Sequence, residues 1–82
     1  MKLPIVSSLE VIKILYKLGF SQLGQEGSHV ILLKEVEGRR LKPVIPVRKE
    51  LAIGTLLSIL KQAELTRDDF ISLYYGKEKR PK

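Results

Sequence analysis

The chain contains no cysteine, so it has neither a disulfide framework nor a thiolate metal site. That absence suits a reducing cytoplasm. Histidine occurs once, as His29, and a zinc site needs several imidazole, thiolate or carboxylate ligands brought together. Long apolar runs are missing too. The longest mostly apolar stretch, residues 51–60, is too short to span a bilayer and contains Gly54, Thr55 and Ser58. Residues 1–6 carry a charge but lack the apolar core and small-residue cleavage site of a secretory signal. Together these absences predict a soluble cytoplasmic protein with no metal, no cofactor and no membrane association.

Acidic residues are also in short supply. Fifteen Lys and Arg stand against nine Asp and Glu, a net charge of +6. A basic surface attracts polyanions through counterion release, which makes nucleic acid the expected partner. Solubility alone is the bland alternative, since small domains often carry charge of this size. The 82 residues, 44% hydrophobic and 29% charged, have globular composition with room for one modest core.

Local patterns divide the chain into helices and strands. Ser7-x-x-Glu10 is a capping box, in which hydroxyl and carboxylate satisfy free amides at a helix start. Leu9, Ile12, Leu15 and Tyr16 then recur at helical spacing, with Val11, Ile14 and Leu18 widening the stripe. Gly19 stands where a left-handed cap ends such a helix, which therefore spans about Ser8 to Leu18. Phe20 to Gln25 is a weakly patterned strand, Gly27 a turn, and His29 to Val36 a strand rich in β-branched and aliphatic residues. Glu37-Gly38 is a second tight turn. Arg40 to Val47 is the third strand, confined to an edge or ending early because Pro43 and Pro46 cannot donate to the ladder. After the charged connector Arg48-Lys49-Glu50, Thr55 caps a second helix packed through Leu56, Leu57, Leu60 and Ala63, with Ile59 beside them. Thr66 caps a short last helix, Arg67 to about Tyr75, with Asp68 and Asp69 near its positive end. The order α-β-β-β-α predicts an α+β two-layer sandwich: a three-stranded antiparallel sheet with two helices on one face, plus a short C-terminal helix. Residues 1–76 form this single domain, and 77–82 are a basic disordered tail.

His29 is the side chain suited to proton transfer near neutral pH, and it stands at a strand entrance beside a turn. In RNA cleavage a base removes the ribose 2′-OH proton, the 2′-oxygen attacks the adjacent phosphate, and an acid protonates the leaving 5′-oxygen. That scheme requires no metal. An ordinary solvent-facing strand histidine is the alternative. Ser28, Lys34, Arg48 and Lys49 are candidate RNA or phosphate contacts, with Arg39, Arg40 and Lys42 nearby. For Arg39 and Arg40, flanking a turn, a solvated rim is the stronger reading. Gly54-Thr55, at a helix start, can also meet phosphate. A Ser28 nucleophile is disfavoured because neighbours on a strand point to opposite faces. Asp68 and Asp69 diverge on their helix and serve its start rather than forming a catalytic pair.

The ordered set Gly19-Phe20, Gln25-x-Gly27-Ser28-His29, Val44-Ile45-Pro46, Lys49-Glu50-Leu51-x-x-Gly54-Thr55-Leu56 and Ile59-Leu60-Lys61-Gln62-Ala63 resembles HicA-type mRNA interferase toxins over roughly residues 9–73. The resemblance implies a fold like the double-stranded-RNA-binding domain. It also implies metal-independent cleavage of mRNA with His29 as catalytic residue, Ser28 and Gly27 shaping its loop, and a HicB-type antitoxin that covers the active face and often binds operator DNA. Two positions depart from the family pattern. Gly24 stands where many members carry a basic residue. Pro46-Val47-Arg48 replaces a segment that often ends in histidine, and an arginine that stays protonated cannot act as a general base. The competing expectations are a non-catalytic RNA-binding module of the same fold and a protein whose free sheet face pairs with another chain. Oligomeric state is left open, a weak homodimer included.

Overall fold

A computed structural model describes residues 3–76. The first helix, α1, spans Ser8–Lys17 and opens with the expected capping box. The Ser7 hydroxyl accepts from the Glu10 amide (3.2 Å), and the Glu10 carboxylate accepts from the Ser7 amide (2.9 Å). Gly19, at φ +102°, ends it in a Schellman arrangement, with the Gly19 amide donating to the Tyr16 carbonyl and the Phe20 amide to Leu15. Two strands follow, β1 at Ser21–Glu26 and β2 at His29–Val36. They pair antiparallel around Gly27-Ser28, where glycine supplies the positive φ (+58°).

The expected third strand is two short ones, β3 at Arg39–Leu41 and β4 at Val44–Pro46, both antiparallel to β2. Proline causes the break. Pro43 has no amide to give, but its carbonyl accepts from the Leu32 amide (3.1 Å), so the edge resumes after it. The outward amide of Val44 is met by the Gln62 side chain (2.9 Å) rather than by another strand.

Helix α2 spans Ile53–Gln62, and its N-cap is Ala52, which offers no side-chain cap. Thr55 is therefore inside the first turn, not at the cap, a correction to the sequence expectation. The packing stripe also differs by one residue. Leu56, Ile59, Leu60 and Ala63 are buried at the i, i+3, i+4, i+7 spacing, whereas Leu57, rotated one step round, is 37% exposed. In α1 the buried apolar residues are Val11, Ile12, Ile14 and Leu15, while Leu9 and Tyr16 are 68% and 45% exposed. Helix α3, Arg67–Tyr75, is capped by the Thr66 hydroxyl, which accepts from Asp69 (3.0 Å), and it buries Phe70 and Ile71.

The architecture is the expected α+β arrangement of helices and antiparallel sheet. Val30, Leu32 and Ile45 point from the sheet into the core formed with Leu15, Leu56, Ile59, Leu60 and Phe70. By strand alternation His29, Ile31 and Leu33 face the other way. The basic tail expected at 77–82 lies outside the described residues.

Candidate active site

The turn Gly27-Ser28 delivers His29 as the first residue of β2, exposed to solvent. His29 is paired across the sheet with Glu26 of β1 on one side and Pro46 of β4 on the other. Directly opposed residues share a sheet face, with Cβ atoms about 4.5–5.5 Å apart. Glu26 therefore shares the sheet face of His29 across the hairpin. The sequence holds this residue in plain view, but its relation to His29 depends on the hairpin register, so it could be found only by committing to a two-residue turn.

Three further segments converge on this end of the molecule. Because β4 is antiparallel to β2, it ends beside the start of β2, and the Val47 amide donates to the Ser28 carbonyl (2.7 Å). Arg48 follows immediately. Its backbone is clamped by the start of α1: the Ser8 hydroxyl donates to the Arg48 carbonyl (3.1 Å) and accepts from the Arg48 amide (3.0 Å), and the Ser8 amide donates to the same carbonyl (3.0 Å). Ser8 is 2% exposed. Sequence reasoning missed it because a second serine after an N-cap has no pattern of its own. The Leu51 amide then donates to the Val6 carbonyl (2.8 Å), fixing the approach to α2.

The start of α2 lacks both a side-chain cap and an acidic residue in its first turn. The amides of Ile53, Gly54 and Thr55 precede the first intrahelical bond, from the Leu56 amide to Ala52, and carry the positive end of the helix dipole. An added Cβ at Gly54 would meet no atom within 4 Å, so packing does not require glycine there. Among the described residues no group of acidic, histidine or cysteine side chains is arranged to hold a metal ion.

The expected site residues thus fall into two sets. His29, Ser28, Arg48 and Lys49 belong to the segments that meet at this end, whereas Thr55 lies in the first turn of α2, in the helix layer. Lys34 is also apart, because it stands five residues along β2, about 17 Å away in an extended strand. Its ammonium group is 5.7 Å from the Phe20 ring centroid, and its stem lies against Gly19. Arg39 and Arg40 are likewise at the far hairpin, where they pair with Glu64 and Glu35. Arg39 holds the Glu64 carboxyl below its usual range chiefly through their hydrogen bond, and Glu64 raises Arg39 in turn.

Fold and site together define a small basic α+β protein whose one imidazole stands exposed at a hairpin turn that is bonded to the segment leading into Arg48 and Lys49. A family model described as the HicA toxin of bacterial toxin–antitoxin systems matches residues 9–65, and the chain belongs to that family. No curated protein and no solved structure matches it. Membership makes it a toxin whose partner is an antitoxin. Among the described residues no helix is long and apolar enough to cross a membrane.

Proposed function

We propose that the protein is a metal-independent endoribonuclease that cleaves mRNA in the cytoplasm, with His29 as general acid or base. The observation that carries this reading is the junction of the His29 turn with the segment leading into Arg48 and Lys49, through the Val47–Ser28 and Ser8–Arg48 bonds. Arg48 and Lys49 hold the phosphate, and the first-turn amides of α2 add uncharged donors. Glu26 and His29 divide the two proton transfers. One takes the proton from the 2′-OH as its oxygen attacks phosphorus, and the other protonates the departing 5′-oxygen, leaving a 2′,3′-cyclic phosphate. Each step moves a proton already carried by substrate or protein, so a metal ion is not needed to balance it. The antitoxin is of the HicB type and silences the toxin by covering this end of the molecule.

The test is cleavage of single-stranded RNA in excess chelator. The wild type is expected to cut, and to stop when the scissile nucleotide lacks its 2′-OH. His29→Ala should lose roughly a hundred- to ten-thousand-fold in rate, the usual contribution of a positioned acid or base. RNA affinity should stay close to that of the wild type. An unimpaired His29→Ala variant would refute the assignment. Glu26→Gln should slow cleavage and alter its pH profile, whereas an unchanged profile would leave His29 with water as its only proton-transfer partner.

A further inference from the structure

On the helix side of the sheet, next to the Gly27-Ser28 turn, an open groove of about 450 Å³ runs between α1 and the β1–β2 hairpin. Ile12 and Val30 form its apolar floor, Leu9 and Tyr16 its helix wall, and Gln22 and Gln25 its strand wall. The exposed Leu9 and Tyr16 described above thus flank a groove rather than lying scattered on the surface.

The strand wall depends on an irregularity. In an unbroken strand residues three apart face opposite ways. The register of β1 shifts at Leu23, so Gln22 is opposite Leu32 and Gln25 opposite Val30, both inward residues of β2. One extra residue therefore brings both amides to one groove and turns Leu23 outward, 52% exposed. Their polar atoms are partly committed. The Tyr16 hydroxyl donates to Gln22 Oε1 (3.5 Å), and Gln25 Nε2 donates to the Gly27 carbonyl (3.3 Å). What remains is a donor, the Gln22 amide group, and an acceptor, Gln25 Oε1.

We propose that this groove binds an unpaired nucleobase of the RNA substrate, with Tyr16 as the stacking surface and Gln22 and Gln25 reading the base edge. The proposal rests on the ribonuclease reading above and names a subsite for it. Every nucleobase has two flat faces and an edge with adjacent donor and acceptor atoms, which is what an aromatic wall and two amides can meet. Bases become available in this way in single-stranded RNA, where they are recognised by aromatic stacking and edge hydrogen bonds. The groove lies at the same hairpin end as His29 but on the other face of the sheet, since Val30 in its floor and His29 are successive strand residues, and Gln25 ties its wall to the turn through Gly27. A base seated here therefore belongs to a nucleotide flanking the cleaved one, on an RNA strand that passes round the hairpin end. Lys13, also at the groove, can meet the accompanying phosphate.

The proposal is tested by titrating His29→Ala protein, chosen because it should bind without cutting, with four homopolymeric RNA hexanucleotides and with an abasic ribose-phosphate hexamer of equal charge. At least one base-bearing hexamer should bind about tenfold tighter than the abasic one, a typical gain from stacking a base on an aromatic ring. Adding Tyr16→Ala should erase that difference, while Tyr16→Phe keeps most of it. Gln22→Leu and Gln25→Leu should change the order of preference among the four bases. All three positions are exposed, and an unchanged Tm of each variant confirms folding. Equal binding of base-bearing and abasic hexamers overturns the proposal. So does a Tyr16→Ala variant that keeps its RNA preference and loses only antitoxin affinity, since the groove would then be a protein-docking surface. Cleavage by protein with His29 intact is measured alongside. Its absence refutes the ribonuclease reading, whereas cleavage with no base-dependent binding refutes only the groove.

Discussion

Among single residues, Ser8 shows how one buried hydroxyl fixes a backbone segment remote in sequence. One hydroxyl both donates to and accepts from the backbone of Arg48, forty residues away. Ser8→Ala strands a part-buried Arg48 amide, and losing such a partner costs about 1–3 kcal/mol. The expected result is a lower Tm together with weaker RNA binding, measurable by thermal melt and fluorescence anisotropy. A melt that falls while RNA affinity stays constant would show that Arg48 does not touch the substrate. Gly24 carries the opposite expectation. An added Cβ there meets nothing within 4 Å, so the basic residue common at this place in the family fits without displacing any neighbour. Gly24→Arg should fold at least as stably as the wild type and bind RNA more tightly.

Among the elements, turn and cap chemistry agrees with the fold except at two glutamates. The β2–β3 hairpin closes through Glu37-Gly38 with both residues at positive φ, +50° and +82°, the type I′ pattern. Helix α2 ends in a Schellman arrangement, with the Leu65 amide donating to Leu60 and the Glu64 amide to Lys61, and this puts Glu64 at φ +56°. Side chains other than Gly and Asn are strained there, at a cost of order 1–2 kcal/mol. Glu37→Gly and Glu64→Gly should therefore each raise the Tm by several degrees, since about 1 kcal/mol shifts a domain of this size by 4–8 °C. At Glu64 the gain is accompanied by loss of the exposed pair with Arg39. Because Arg39 keeps the Glu64 carboxyl below its usual range, that pair stabilises the fold above the unfolded-state pKa and loses its effect as pH falls through the lower folded value. Glu64→Gly should consequently make stability less dependent on pH in the acid range, which melts from neutral to strongly acidic pH would show.

Across the whole molecule, a net charge of +6 says less than where unpaired cations stand. Arg39 and Arg40 are engaged by Glu64 and Glu35 at the far hairpin, while Arg48 and Lys49 lie beside the His29 turn. RNA binding should therefore weaken with salt. Arg48→Ala with Lys49→Ala should flatten the log–log salt slope by about 0.7 for each phosphate that is no longer neutralised. Arg39→Ala and Arg40→Ala should leave the slope nearly unchanged. Equal effects from both pairs would mean that the charge acts as a diffuse field rather than at a site. An antitoxin that covers the His29 end should compete with RNA for Arg48 and Lys49, and its presence should protect them from chemical modification.

Much of the protein's organisation was determined by local chemistry that the sequence displays directly. The Ser7–Glu10 box, Gly19, Gly27, Glu37-Gly38 and Thr66 each act within a few residues, so helix and strand limits follow from them, as does the position of His29 at a strand entrance. The family motifs are legible for the same reason, being ordered along the chain. Tertiary structure decided what depends on pairing and packing. Register put Glu26 opposite His29, and a one-residue bulge gathered Gln22 and Gln25 in one groove. Pro43 divided an edge strand without ending it, because its carbonyl still accepts from Leu32. The start of α2 shifted to Ala52 because Leu51, anchored to Val6, directs the chain into the helix before Thr55 is reached. Spacing along a chain does not by itself encode such relations, since each depends on how strands register and how segments pack.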